Sequence, residues 1–549
     1  MRADSLLGRL PTCLLGVVAL LMPVIASAAA ISDGAAPPAA PRIDTSPVPF
    51  ADPGSALAEG WQHGAFIEIF VRAYKDSDGD GIGDLRGLIQ SLDYLHDLGV
   101  RGIWLMPVTR SQDRDHGYAV VDYRDIEPDY GDLEDFDELL KQAHARGIGV
   151  IMDYVINHSA AGNPLFTEAS SSPGSRYRSW YVWRDVAPTD WNIMGKNPWI
   201  TTPTGSYLAQ FSPWMPDFDM RNPEVMAFHK DNLRFWLNRG VDGFRFDAVG
   251  HLLENGPDEW SDQPGDYALM NEVRALVHSY SQRYMVCEAP PNPEAFASPD
   301  ACGGAFLIFG ARVLMDAARG QEISIAGVAN YFSAAPAGIA TILSSHDLFA
   351  GDRPWNQLGG ESATYRLAAA TYLLLPGTPF IYYGEEIGMA SAADLQGDPK
   401  LRTPMSWTGD RTNAGFTSGK PFRPVSANVE RQNVESERGR KDSLLAHYRS
   451  LIGLRNRYPS IARGSYESPV VAGKVMSYQR RHGGENALVV INYGKHPAKV
   501  RVRGLPTARE VEQVFPSGTG GRLAVDAQGA SEVAIGAQSV LVFVSNPAH

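Results

Sequence analysis

Cysteine is scarce, with three residues in 549 and no Cys-x-x-Cys spacing, which excludes a disulfide-built scaffold and a zinc ribbon. Positive charge is also short: 49 Lys and Arg face 62 Asp and Glu, a net charge of -13 that opposes non-specific attraction to nucleic acid or anionic lipid. No apolar run reaches the about 20 residues of a membrane-spanning helix. What is present is an ordinary globular composition, 44% apolar, 20% charged and 10% aromatic, which argues against collagenous, coiled-coil and wholly disordered chains.

The first residues place Arg2 and Arg9 before an apolar run from Leu14 to Ile25, followed by Ala26, Ser27 and Ala28. That order predicts a secretory signal peptide over 1–28, hence a secreted or periplasmic protein with no membrane attachment after cleavage. Cys13 leaves with the signal, and Cys287 and Cys302 are then free to form one disulfide in an oxidising compartment. Residues 29–58, rich in Ala, Pro and Ser with no apolar period, read as a flexible leader.

From Trp61 onward, short apolar runs alternate with helix-period segments, the pattern of βα units around a parallel sheet. Candidate strands are Phe66 to Phe70, Gly102 to Met106, Gly149 to Asp153, Gly243 to Asp247, Tyr284 to Glu288, Ala305 to Phe309, Thr341 to Ser344 and Phe380 to Tyr383. Eight of them predict an α/β fold, a closed (β/α)8 TIM barrel over 59–157 and 219–460. The third and fourth strands stand too far apart for one βα unit, so 158–218 is read as an inserted B domain whose Trp180, Trp183, Trp191, Trp199 and Trp214 line a groove. Leu444, Tyr448, Leu451 and Arg455 share one face of a last barrel helix. Beyond it, short strands and turns predict a C-terminal antiparallel β-sandwich over 461–549.

Barrel strands open their C-terminal ends onto one face, where chemistry collects. Asp153, Asp247, Glu288 and the pair His346-Asp347 all end candidate strands. One such carboxylate is unremarkable as a helix cap. Several at one mouth raise one another's pKa, a cost retained where protons move or cations are stabilised. Asp247 and Glu288 supply the nucleophile and the acid/base that a retaining glycosidase holds about 5–5.5 Å apart. Arg245, two residues before Asp247, shares its strand face and favours its ionised form. The apolar approach Met285-Val-Cys287 raises the pKa of Glu288. Asp347, with His346, is placed to hold sugar hydroxyls and to oppose an oxocarbenium-like charge.

Asp153-Tyr-Val-Ile-Asn-His158, Gly243-Phe-Arg-Phe-Asp-Ala-Val-Gly-His251, Val286-Cys-Glu288, Ser344-Ser-His-Asp347 and Met215-Pro-Asp-Phe-Asp219 together resemble, in order and spread, the alpha-amylase family of glycoside hydrolases. The resemblance spans about residues 61 to 545. It implies Asp247 as nucleophile, Glu288 as acid/base and Asp347 as transition-state stabiliser. It also implies Tyr118 as the platform under the sugar ring, with His158, Arg245 and His346 as hydroxyl and carboxylate contacts.

Asp76-Ser-Asp78-Gly-Asp80-Gly-Ile82-Gly-Asp84 has the alternating carboxylates and sixth-position glycine of a calcium loop, with Ile82 contributing through its backbone; Gly87 replaces the bidentate Glu of an EF-hand. The family resemblance implies a second structural calcium at Asn157, Asp217 and the carbonyl of His251, with the ligand from the inserted domain unidentified. Ala248 after the nucleophile resembles members acting on α-1,4 bonds. Cys287 stands where glycine is often seen, and it either packs as a small apolar neighbour or pairs with Cys302.

Three readings follow. The first is an alpha-amylase-type retaining hydrolase acting on α-1,4-glucosidic bonds of starch-derived glucans and maltooligosaccharides. The second is an exo-acting α-glucosidase or a trehalose-synthase-like transglycosylase, which Thr378-Pro-Phe-Ile-Tyr-Tyr-Gly-Glu-Glu386 and Arg402-Thr-Pro-Met-Ser-Trp407 resemble. The third, a catalytically silent barrel serving as a binding module, conflicts with the presence of all three carboxylates. Nothing in the sequence fixes the oligomeric state.

Overall fold

The computed structural model describes residues 43–507, 511–518 and 521–545. The expected signal peptide and the first part of the leader lie outside the described residues. Eight parallel strands close into a barrel: β1 (Phe66–Ile69), β2 (Gly102–Leu105), β3 (Gly149–Val155), β4 (Gly243–Asp247), β5 (Tyr284–Cys287), β6 (Ala305–Phe306), β7 (Ile339–Thr341) and β8 (Thr378–Tyr382). Each strand pairs with its neighbours in sequence, and β1 closes the ring on β8 through Phe66 opposite Phe380. The seventh strand sits earlier than the expected Thr341 to Ser344, because its pairing to β6 and β8 ends at Ala340 and Thr341. The chain beyond carries polar side chains to the barrel mouth.

Alternation along the strands sorts the interior into layers. Phe66, Trp104, Ile151, Val286, Phe306, Ala340 and Phe380 form a dry lower core, closed from beneath by Leu57 and Trp61. A side chain at Gly149 would strike the Trp61 ring at 2.3 Å and one at Gly102 the Phe66 ring at 2.2 Å, so glycine at these strand starts admits the aromatic floor. Two residues further along the same strand faces stand Glu68, Asp153 and Glu288, and on β4 Arg245 and Asp247. The strand period therefore lifts the charged residues above an apolar plug.

The helices follow ordinary end signals. Pro223–Arg239, which leads into β4, starts at the Asn222 side chain accepting from the Glu224 amide at 3.0 Å. It ends on Gly240 at φ 103°, a left-handed C-cap, and buries Val225, Phe228, Leu233, Trp236 and Leu237. The predicted last helix runs Leu444–Arg457.

Residues 43–58 contain no helix or strand, yet they are not a free leader. Val48 donates to Asp231 at 3.0 Å, Arg283 donates to the Gly54 carbonyl at 2.8 Å, and Leu57 is buried. The segment between β3 and the 223–239 helix holds a short helix, Pro164–Ser171, and a three-stranded sheet of Trp183–Arg184, Gly205–Leu208 and Trp199–Thr202. Its tryptophans do not line a groove together. Trp191 and Trp199 meet edge to face in the insertion's own core, Trp180 is buried with its Nε1 donating to Glu224, and only Trp214 is exposed. Three strands cannot bury an apolar face without large side chains, and the tryptophans supply them.

Beyond Gly464 a six-stranded antiparallel sheet and a two-stranded ribbon, Ala498–Val502 with Ser531–Ile535, pack over a core that includes Val475, Leu488, Val490, Val500, Val533 and Phe543. Cys287, at the end of β5, is disulfide-bonded to Cys302. Among the described residues no helix is long and apolar enough to cross a membrane.

Candidate active site

Asp247, Glu288 and Asp347 converge at the C-terminal mouth of the barrel. The guanidinium of Arg245 joins most of the group: Nη1 lies 2.5 Å from Asp247 and 2.9 Å from Asp153, and Nη2 lies 2.9 Å from Glu288. Asp247 and Glu288 meet through this guanidinium, whose charge offsets the repulsion between two buried carboxylates. Ala248 adopts φ 49°, an uncommon left-handed conformation for a residue with a side chain. That twist turns its amide toward Glu288, which accepts it at 3.1 Å.

Burial pushes the Glu288 carboxyl up to about 7, and the charges of Asp247 and Asp347 add to burial against the pull of Arg245. Burial also raises Asp247, with Arg245 opposing it, and lifts Asp153 to about 6. The expected effect of Arg245 on Asp247 is present, but it is outweighed by desolvation. Asp347 is the opposite case. Burial opposes its charge, yet His346 at 3.0 Å and Arg402 at 2.8 Å hold its carboxyl well below the usual range. His346 is held protonated, up to about 10, because the carboxylates of Asp347 and Glu68 outweigh its burial. The site thus separates one carboxyl that is protonated near neutral pH from one that stays ionised, the division of labour that acid/base chemistry requires.

Tyr118 stands with its hydroxyl 2.9 Å from Asp153 and 2.7 Å from His346, its ring stacked on the His346 ring at 5.4 Å. His158 is buried, with Nε2 3.2 Å from the Tyr118 carbonyl, and burial lowers its pKa to about 4, so it is a neutral hydrogen-bonding group. All seven catalytic and substrate-contact residues expected from the sequence therefore belong to one connected cluster. Glu68, Asp153 and Arg402 join it without having been assigned. Glu68, a lone carboxylate in the apolar run Phe66-Ile-Glu-Ile-Phe70, was the available signal. Arg402 opens the stretch Arg402-Thr-Pro-Met-Ser-Trp407, whose resemblance gave it no role at the site, because it arrives from the long loop after β8.

The loop after β1 gathers Asp76, Asp78 and Asp84 with carboxylate oxygens within 4.8 Å of one another. Asp80 lies outside this trio, its Oδ1 accepting from the Ile82 amide at 2.7 Å. None of the three is in an ion pair with a basic side chain among the described residues. Thr417 donates to Asp76 Oδ2 at 2.5 Å, and three backbone amides at 2.7–3.0 Å complete its shell.

Asn157, Asp217 and the His251 carbonyl are also brought together, as expected. From the insertion, Gln210 joins them, its Nε2 donating to the His251 carbonyl at 3.2 Å and to Glu254 at 2.6 Å, with its amide facing Asp217. Asn157 Nδ2 reaches the same carbonyl at 2.5 Å. Two buried carboxylates, Asp217 and Glu254, share this small space, and Glu254 Oε2 has no hydrogen-bond partner. Two buried carboxylates with no ion pair to a basic side chain among the described residues, one of their oxygens unpartnered, are the kind of oxygen donors a hard divalent cation takes.

A model of the alpha-amylase catalytic domain matches residues 68–464. Alpha-amylase 3 of Dictyoglomus thermophilum is 32% identical over 452 residues, covering 80% of this chain and 86% of its own. The trehalose synthase/amylase TreS of Mycobacterium tuberculosis is 32% identical over 503 residues, covering 80% and 83%. The crystal structure of alpha-amylase from H. orenii superposes with a TM-score of 0.76 at 33% identity, covering 88% of this chain and all of that one.

Glu68 gives a direct test of the charge chain. The pKa of His346 is raised above an unfolded value of about 6.5, so its contribution to stability is complete below that pH and disappears as pH rises through about 10. Glu68→Gln weakens the hold on that proton. The urea midpoint of the variant is expected to lose less between pH 7 and pH 10 than that of the wild type. Equal slopes in parallel denaturation series would show that Glu68 does not hold the proton.

Proposed function

Because the chain belongs to the alpha-amylase family of glycoside hydrolases, we propose that it is a retaining hydrolase of α-1,4-glucosidic bonds in maltooligosaccharides and starch-derived glucans. The observation that carries the reading is the contact of one guanidinium, Arg245, with both Asp247 and Glu288. It holds a nucleophile and a proton donor at a single anomeric carbon.

In the first step a carboxylate oxygen of Asp247 attacks C1 of the sugar. The glycosidic C1–O bond breaks, and Glu288 delivers its proton to the departing oxygen, leaving a glucosyl ester on Asp247. In the second, Glu288 takes a proton from water, whose oxygen attacks C1 from the vacated face. The ester bond breaks, the sugar leaves with its α configuration and Asp247 returns as carboxylate. Asp347, ionised by His346 and Arg402, faces the positive charge that develops at C1 in each step. Tyr118 offers its ring to the sugar. Ala248 after the nucleophile supports the α-1,4 preference.

Exo action on short α-glucosides, with or without transfer, is favoured by one feature. Arg423, on the loop after β8, is paired with Asp115, three residues before Tyr118, and also donates to the Arg402 carbonyl at 3.2 Å. This tie closes one side of the mouth beside Tyr118 and Asp347, which suits a pocket for a chain end better than an open cleft.

Calcium is part of the same proposal. Asp76, Asp78 and Asp84, with the Ile82 carbonyl, would hold one ion, and Asp217, Asn157, Glu254 and the His251 carbonyl a second. Bound there, calcium supplies charge compensation that ties loops to the barrel. Export is supported by the signal-like N-terminus and by the Cys287–Cys302 pair.

Asp247→Asn is expected to keep the melting temperature and to lower kcat by about a thousandfold or more, since an amide does not attack C1. On maltoheptaose, the wild-type enzyme is expected to release α-anomers by NMR, as mixed oligosaccharides for internal cleavage. Glucose alone or rearranged disaccharides would select the exo or transfer reading, and β-anomers would overturn retention. For calcium, a chelator is expected to lower the melting temperature and added Ca2+ to restore it. No shift, with no metal found by elemental analysis beforehand, would remove calcium from the proposal.

A further inference from the structure

The barrel floor, opposite the catalytic mouth, holds a cavity of 530 Å3. Its walls are the first residues of β5 and β8, the turns before β6 and β7, and, from the C-terminal sheet and its approach, Arg463, Gly464 and Arg480. The lining carries Arg274, Arg283, Arg463, Arg480, His63 and His278 and not one Asp or Glu. In a chain with more acidic than basic residues, six basic side chains around one cavity are a departure that packing alone does not require.

The cations are poorly compensated. Arg480 is buried and donates only to the carbonyls of Leu374, Gly464 and Ser465. Arg455, directly behind it, likewise reaches only carbonyls, among them those of His63, Leu373 and Ala462. Carbonyl dipoles satisfy N–H groups without cancelling a charge, so burial lowers Arg480 to about 10, and burial with the repulsion of Arg480 lowers Arg455 to about 9. Among the described residues, Arg283 alone of these cations has carboxylates nearby, Asp242 at 3.9 Å and Asp52 at 4.0 Å. Arg274 and Arg283 each leave a buried Nε without a hydrogen-bond partner. His63 and His278 are pushed toward the neutral form by burial and by the surrounding arginines.

We propose that this cavity binds a phosphate-type oxyanion, as free inorganic phosphate or as the phosphoryl group of a sugar phosphate. Guanidinium forks match tetrahedral oxyanions, and several converge here from both the barrel and the C-terminal sheet. The volume exceeds what a phosphate fills, leaving room for an attached sugar beside Tyr280 and Tyr284. Bound across the two domains, the anion locks the sheet to the barrel floor and stabilises the folded chain without entering the catalytic steps.

The test uses the full chain, its thermal unfolding followed with increasing phosphate, with sulfate as a second tetrahedral probe that leaves calcium in solution, and with NaCl at matched ionic strength. The tetrahedral anions are expected to raise the melting temperature saturably by roughly 1–3 °C, and NaCl not to. The double variant Arg274→Gln/Arg463→Gln, altered at the accessible rim, is expected to lose that rise, to bind phosphate at least about tenfold more weakly by calorimetry, and to cleave maltoheptaose at the wild-type rate. Glucose 1-phosphate binding more tightly than phosphate identifies a sugar phosphate as the ligand, and equal binding identifies the free anion. Indistinguishable phosphate and NaCl curves, an unchanged response in the folded double variant, or equal stabilisation by glucose alone would overturn the proposal.

Discussion

A single buried cation organises the catalytic end of this barrel. Arg245 spends its fork on Asp153, Asp247 and Glu288, three carboxylates that the strand period brings to one level. Leaving any of those charges buried and unpaired costs several kcal/mol, about 3–5 when one partner of a buried pair is removed. Lysine could not replace it, since one ammonium cannot reach carboxylates on three sides in fixed geometry. The aromatic walls Trp104 and Tyr118 lie 5.1 and 5.9 Å from the guanidinium carbon and exclude water from it. Low dielectric then does two things at once: it makes Arg245 indispensable, and it lifts Glu288 toward the pH at which a carboxyl can give and regain a proton.

Around that centre the charges alternate. Glu68, His346, Asp347 and Arg402 form a chain of negative, positive, negative and positive groups that ends on the loop after β8. Each charge is stabilised by the next, so Asp347 remains ionised in a place where Glu288 does not. The two carboxyls differ because one has two cations of its own and the other shares one. At the opposite end of the barrel the sign reverses, with arginines facing carbonyls and little to neutralise them. The apolar layer of Phe66, Trp104, Phe306 and Phe380 keeps the two ends apart.

The parts of this arrangement fixed by local pattern were legible in the sequence. Strand-end carboxylates announced the mouth, the spacing of Arg245 and Asp247 announced a shared face, and the alternating aspartates after β1 announced a gathered loop. The parts fixed by long-range approach were not. Arg402 reaches Asp347 across 55 positions, and Gln210 meets Glu254 across 44; no local pattern announces either meeting. The tryptophans of the insertion were misread for a related reason. Composition shows that large aromatics are present but not whether a small sheet consumes them as its own core, and here Trp191 and Trp199 do exactly that work of burial against Ile193 and Leu208. The described part of the leader, 43–58, was misread because its anchors, Asp231 on the 223–239 helix and Arg283 just before β5, are distant in sequence.

The loop after β8 also couples the acidic loop to the reaction centre. Its Phe416 carbonyl accepts from the Asp76 amide at 3.0 Å, Thr417 grips the Asp76 carboxylate, and the Gly415 carbonyl accepts from Lys75 at 2.6 Å. Elsewhere along the same loop, Arg423 pairs with Asp115, and Arg402 with Asp347. One stretch of chain thus carries both the contacts that shape the acidic loop and the guanidinium that, with His346, keeps Asp347 ionised, and Arg402 is fixed there independently by donating to the His346 carbonyl at 2.9 Å.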